Sequence, residues 1–452
     1  MTVNPAFIFK KATLASLALL FVLSACARSI RVQAGDPVSI EQFGAQPNNP
    51  NFDNAPAIIK ALQSAKSVLF PANKTYYIAS AIKVNGLTGV TIYAKASTII
   101  NTNYDAQTFL FIGCSSIAIE SGHYTRDVIP TKQDGKNQHM IEFRNCNNVS
   151  ISHAHIERSP EMGICNNCVN GGVYTSNTIE HCLRDGIYAH YSVNLKYIAN
   201  TVSDIKDDGL SMHDYGIDAQ KTFIKQAGYS QAGHSVISGN NVSNCVEGIS
   251  SIGCTDVTIS GNVVRNTLMA GISMFDSEDL LPHSNARVNN VRVLNNVLDN
   301  NNSVQNIAGQ SFNPGAFYAN GRSAIFIGCV KGGGSYTVSK MRLSSVTVQG
   351  NAVSNCATNG ATLYNIDSLV FSGNKFFNCH SSANTSTGDI IEIQNCTNIQ
   401  VYNNEVTDTR GTLLHNRGYA VDNSSGTFQQ GKVNGFRIEA VSVKNSPELT
   451  KQ

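Results

Sequence analysis

The sequence predicts an all-β chain wound as a parallel β-helix, with one capping α-helix near its N-terminus. Three observations carry this reading. A unit of 22–23 residues recurs, an asparagine returns at one phase of it, and the runs around that asparagine alternate apolar and polar residues. Tyr197-Ile198-Ala199-Asn200-Thr201-Val202 compares with Ile259-Ser260-Gly261-Asn262-Val263-Val264 and with Phe371-Ser372-Gly373-Asn374-Lys375-Phe376. The anchor falls at Ala154, Asn177, Asn200, Asn240, Asn262, Asn296, Asn351, Asn374 and Asn404, with gaps of 23, 23, 40, 22, 34, 55, 23 and 30. The longer gaps read as the same unit carrying loops. Several period-2 strands in a unit of this length make one coil of a solenoid, each strand stacking about 4.8 Å from its copy in the next coil. An antiparallel sandwich also has short strands, but it would not bring Asn back at one phase.

Composition bounds the rest. Of 452 residues, 14% are charged and 42% hydrophobic, which argues against disorder. Lys and Arg number 33 against 31 acids, so no basic excess points to nucleic acid. One apolar run approaches spanning length, and it lies at the N-terminus. Lys10 and Lys11 precede Ala12 to Val22, followed by Leu23-Ser24-Ala25-Cys26. A basic start, an apolar stretch and small residues before a cut form a secretion signal. The last four residues resemble the bacterial lipobox, which implies lipidation at Cys26 and anchoring in the cell envelope. Residues 1–25 would be the signal and 26–36 the lipidated Cys with its tether. Removing the signal takes away two lysines and no acid, leaving a formal net charge of zero.

Twelve cysteines in an exported chain suggest disulfides, but their phase argues otherwise. Cys114, Cys146, Cys254 and Cys396 precede strand-like runs; Cys182, Cys245, Cys356 and Cys379 follow the Asn anchor. Fixed phase reads as stacked ladders of small buried thiols. Cys165 and Cys168 form a lone CxxC with no second ligand pair, so no metal is assigned.

Residues 37–80 are expected to cap the solenoid, whose open end would expose strand edges. Asp53 and Asn54 precede Ala55, Ile58, Ile59 and Leu62, an i, i+3, i+4, i+7 stripe that predicts an amphipathic helix over 54–65. Val38 to Ala45 with Phe43-Gly44-Ala45, then this helix, then Phe70-Pro71 and Tyr76-Tyr77, resembles the N-terminal signature of the pectate lyase-like superfamily. That group includes rhamnogalacturonases, polygalacturonases, some alginate epimerases and phage tailspikes. Ala72 and Asn73 stand where its usual Gly follows the Pro. The resemblance implies a right-handed solenoid over 81–430, an end segment over 431–452, and a polysaccharide as partner.

Aligning the coils exposes a candidate site. The residue before the Gly reads Met162, Asp185, Asp208, Glu247, Ala270, with Glu247 needing a one-residue deletion. One position earlier stand Glu161, Arg184, Asp207 and Val246; thirteen after the anchor stand Asn167, His190 and His213. Stacked like charges oppose joint ionisation, so one carboxyl should hold its proton, as glycosidic cleavage requires. Asp185, Asp207, Asp208, His190 and His213 are therefore the candidate catalytic residues. Arg184, Tyr188, Lys206, Asp214, Tyr215 and Glu247 are the candidate substrate-binding residues. Two insertions, Gly216 to Gly233 and Asp276 to Ala286, leave just past the histidines and would wall a groove, with Phe223 and Tyr229 as further sugar-stacking faces. Asp before Gly is also an ordinary turn residue, so a purely structural column is the alternative.

Within the resemblance, Asp185 and Asp207-Asp208 match the aspartates of polygalacturonase-type hydrolases, and Gly233-His234 is the candidate for their Gly-His element. Their Arg-x-Lys element has no counterpart. Three functions follow: a glycoside hydrolase; a uronate lyase or C5-epimerase using His213 or His190, Tyr188 or Tyr215, and Arg184 or Lys206; or a non-catalytic polysaccharide-binding, adhesin-like lipoprotein. No cofactor is expected. The carboxylates could hold Ca2+, but no calcium-loop motif is present.

Overall fold

The structure, a computed structural model, describes residues 36–132, 136–216, 230–277, 284–302, 323–328, 343–381, 388–413 and 415–452. Cys26, the signal and residues 27–35 of the tether lie outside these, as do Phe223, Tyr229, most of 216–233 and of 276–286, and, in the longest insertion, all of 312–334 but residues 323–328.

Short alternating runs become short strands because each must turn a corner after two or three inward side chains. In Val193–Ile198, Leu195 and Tyr197 face inward while Asn194 and Lys196 are exposed. Every strand pairing among the described residues is parallel and joins one coil to the next, so the fold is a parallel β-helix. Three ladders result. The first runs through 15 strands, from Val38–Ser39 to Leu449–Lys451. The second and third merge into one 24-stranded sheet because Thr201–His213 and Asn241–Ile252 continue through the corner between them. Strands of the 37–80 cap, such as Thr75–Ile78, and of the 431–452 end segment pair in register with this body.

The anchor asparagines form a continuous internal ladder. Oδ1 of Asn240 accepts the backbone N–H and the side-chain Nδ2 of Asn200, both at 2.9 Å. The Nδ2 of Asn240 donates to the Tyr197 carbonyl and to Asn262 Oδ1, again at 2.9 Å. The same pattern runs from Asn177 to Asn404, all fully buried. Each coil's corner would otherwise bury unpaired backbone groups. A second population of asparagines turns the outer corners in left-handed backbone, among them Asn148, Asn194 and Asn244, a conformation that Asn tolerates.

Apolar stacks fill the interior, as where Phe111 and Phe143 lie in register with ring centroids 5.1 Å apart. The ten described cysteines are unpaired thiols, nine of them buried. The expected Cys ladders are interrupted, however. The register at the first phase runs Cys114, Cys146, Val169, Ser192, so among the described residues only Cys114 with Cys146, and Cys356 with Cys379, meet across adjacent coils. The same position holds Leu87, Leu343 and Ile366 on other coils, so it takes a range of inward side chains and thiol is one choice.

The capping helix α1 spans Ala55–Ser64 and buries Ala55, Ala57, Ile58, Ala61 and Leu62. Asn54 does not cap it. The Asn54 side chain turns to accept the Gln46 N–H at 2.7 Å, and Asp53 Oδ1 takes the Ala55 N–H at 3.0 Å. After Pro71 the chain turns at Asn73, φ 58°, where Asn serves in place of Gly.

Candidate active site

The acid column arises from register. The Gly186 N–H donates to the Asp208 carbonyl and Gly163 N–H to that of Asp185, so Asp185 and Asp208 sit on adjacent coils. Asp208 pairs in turn with Glu247. The one-residue deletion is a β-bulge: the register jumps between Ile205–Cys245 and Asp208–Glu247, leaving Lys206 and Asp207 opposite Val246 alone. A bulge re-aims a side chain, and here Asp207 stands at the rim.

One oxygen of Asp185, one of Asp208 and a ring nitrogen of His213 lie within 4.8 Å of one another. His213 Nε2 is 3.4 Å from Asp208 Oδ2, and its Nδ1 is 3.1 Å from the Tyr215 hydroxyl. The Ser211 hydroxyl donates to Asp185 Oδ2, while Asp185 Oδ1 is buried with no hydrogen-bond partner among the described residues. Arg184 lies among three acids, with Nε 3.9 Å from Asp185 and 3.7 Å from Asp207 and Nη1 3.9 Å from Glu161.

These contacts separate the carboxyls. Asp185 is 1% exposed. Burial first, and the Asp208 charge second, push its carboxyl up to about 6, against the opposing pull of Arg184, His213 and Ser211. Asp207 is pushed the same way, by burial and then by Asp185. Its side chain is nevertheless 45% exposed, so solvent relieves much of that pressure and Asp185 is the member that best keeps a proton. Burial lowers His213, opposed by Asp185 and Asp207.

The other expected residues divide. His190 pairs with His213 in register and stacks on Tyr191 with centroids 4.2 Å apart. Burial drives its pKa down to about 3, so it is neutral, and its Nε2 has no hydrogen-bond partner among the described residues. Glu247 is buried and accepts the Ser273 hydroxyl at 3.1 Å. Lys206 is half-buried on the bulge. Three expectations are corrected. Tyr188 is not an open sugar platform, because it packs against Met162 and Cys165. Asp214 is fully buried and accepts the N–H groups of Gly216 and Ala232 at 2.7 and 2.6 Å, closing the base of the first insertion. His234 is exposed on the first ladder, where it pairs with Asp256 at 3.0 Å, so it is not the Gly-His element. Ser211 was missed in the sequence. Reading the Tyr188, Ser211, Ser250, Ser273 register beside the aspartates would have found it. Asp185, Asp208 and His213 are also the donors that could hold a cation here.

No protein-family model matches this chain, and no curated protein sequence matches it. Solved structures do. The family 28 exopolygalacturonase of Yersinia enterocolitica superposes with a TM-score of 0.60 at 13% identity, over 91% of this chain and 79% of that one. PfbA, a surface adhesin of Streptococcus pneumoniae, gives 0.54 at 12% identity, over 92% of each. The A-module of an Azotobacter vinelandii mannuronan C-5 epimerase gives 0.53 at 12% identity, over 92% of this chain and 99% of that one. These neighbours are right-handed parallel β-helix proteins, and at such identities they establish that fold for this chain. They differ in activity, so the fold alone selects none.

Proposed function

We propose that the chain cleaves a polysaccharide as a glycoside hydrolase. The observation that carries this reading is the stacking of Asp185 and Asp208, with the buried Asp185 pushed up to about 6. A protonated carboxyl beside an ionised one is the pair that glycosidic cleavage uses. Asp185 donates its proton to the glycosidic oxygen. Asp208 acts as the charged partner, with His213 and Tyr215 beside it. Arg184 holds the column's negative charge, and Asp207 meets substrate and water at the rim. A polysaccharide substrate also fits the exopolygalacturonase among the solved neighbours.

A second reading, uronate lyase or C5-epimerase, is favoured by the Tyr215–His213 contact at 3.1 Å, with Arg184 3.9 Å from Asp185 in the same column. That set would supply a base, an acid and a cation for the uronate carboxylate. A panel of polysaccharides separates the readings. New reducing ends without unsaturated uronate absorbance support hydrolysis. Unsaturated ends support the lyase, and binding without turnover supports an adhesin-like role. For hydrolysis, kcat/KM should fall as pH rises through about 6, where Asp185 loses its proton. A basic limb well above that value would remove Asp185 as the acid.

The anchor is likewise a proposal, resting on Leu23-Ser24-Ala25-Cys26 behind a basic and apolar leader. Lipidation at Cys26 would hold the chain in the cell envelope, near extracellular glycans. Palmitate labelling should disappear in Cys26→Ser; labelling that persists would end this reading.

A further inference from the structure

We propose that the 24-stranded sheet carries a binding site for a divalent transition-metal ion, Zn2+, formed by His123, His155 and Glu157. The strands His123–Arg126, His155–Glu157 and Thr178–Glu180 are successive rungs. His123 pairs with His155 in register, and Glu157 with Glu180. Register therefore stacks the two imidazoles, with centroids 4.5 Å apart and planes 10° from parallel. It also aims both Nε2 atoms at carboxylates: His123 at Glu157 at 3.0 Å, and His155 at Glu180 at 2.8 Å. One donor atom from each of His123, His155 and Glu157 falls within 4.8 Å of the other two.

The donor chemistry selects the ion. Two imidazole nitrogens and one carboxylate suit Zn2+ and its first-row neighbours, whereas Ca2+ and Mg2+ prefer oxygen alone. The Thr125 hydroxyl, 2.8 Å from Glu157 Oε1, orients that carboxylate, as outer partners of metal ligands do. Access is open, since the histidine side chains are 33% and 39% exposed. The ligands belong to adjacent coils, so a bound ion ties those coils together and stabilises the folded chain. The adjoining group Glu157, Glu180 and His181 shares one ligand but offers a single imidazole, a poorer match for Zn2+. None of these residues belongs to the aspartate column, so the proposal does not depend on the hydrolase reading.

Calorimetric titration of the purified protein with ZnCl2 at neutral pH tests it. One ion per chain should bind. His123→Gln and His155→Gln should each weaken binding about tenfold or more, on the scale seen when a metal site's supporting groups are lost. Glu157→Gln, which keeps a side-chain oxygen for Thr125, should do the same. His181→Gln should bind as the unaltered chain does. ZnCl2 should raise the melting temperature of the unaltered protein and not that of His155→Gln, with circular dichroism confirming that each variant folds. No binding by the unaltered chain overturns the proposal. So does equal affinity in folded His123→Gln and His155→Gln, or a loss confined to His181→Gln or His213→Gln.

Discussion

Asp208→Asn should lower turnover on an identified polysaccharide by at least about 10²-fold, the scale of a lost general acid or base. Asp185→Asn should do the same, for the complementary reason that an amide cannot supply the proton. Folding should survive, because Asn has nearly the same size and shape as Asp and can still accept the Ser211 hydroxyl at position 185. A second readout separates catalysis from damage. The ordinary aspartate value is 3.8, and burial followed by Asp208 raises Asp185 to about 6. The folded chain therefore binds this proton more tightly than the unfolded chain. Stability from that preference is full below the unfolded value and is lost as pH rises through about 6. At neutral pH the ionised, buried Asp185 is a cost on the order of 1–3 kcal/mol, which Asn removes. Asp185→Asn should thus lose activity and melt higher at neutral pH. A folded Asp208→Asn that keeps full turnover would sink the proposed site.

The other large effect is structural. Asn240→Ala should destabilise the chain by roughly 3 kcal/mol or more, because it strands buried partners on both sides. The Asn200 N–H and Nδ2 lose their acceptor, and the Tyr197 carbonyl and Asn262 Oδ1 lose a donor. Asn194→Gly is the control. Asn194 is exposed with φ 59°, and Gly takes that backbone without strain, so only a few tenths of a kcal/mol should change. Thermal melts followed by circular dichroism would measure both. Equal losses in the two variants would mean that the ladder contributes no more than a surface turn.

Much of the fold was legible because a solenoid writes its geometry as a period. Asn at positions 200, 240, 262 and 296 returns at one phase because each must meet its copy on the next coil. The same alignment placed Asp185 against Asp208 and His190 against His213. It even required the deletion at Glu247 that the bulge at Lys206 and Asp207 supplies. Legibility failed where direction mattered. Asp214 is among the expected substrate-binding residues, yet its oxygens face inward to Gly216 and Ala232. Asn54 looked like a cap, but Gln46 claimed its oxygen and left Asp53 to meet the helix.

Spacing along the chain is enough to set the coil, its period, the interior asparagine ladder and the column that gathers the aspartates. The tertiary structure alone decided which members of that column are buried, which carboxyl is pushed towards holding a proton, and that His123, His155 and Glu157 converge on another ladder. The reason is physical: register follows from counting residues, but burial, side-chain direction and electrostatic coupling depend on what the neighbouring coils place around each group.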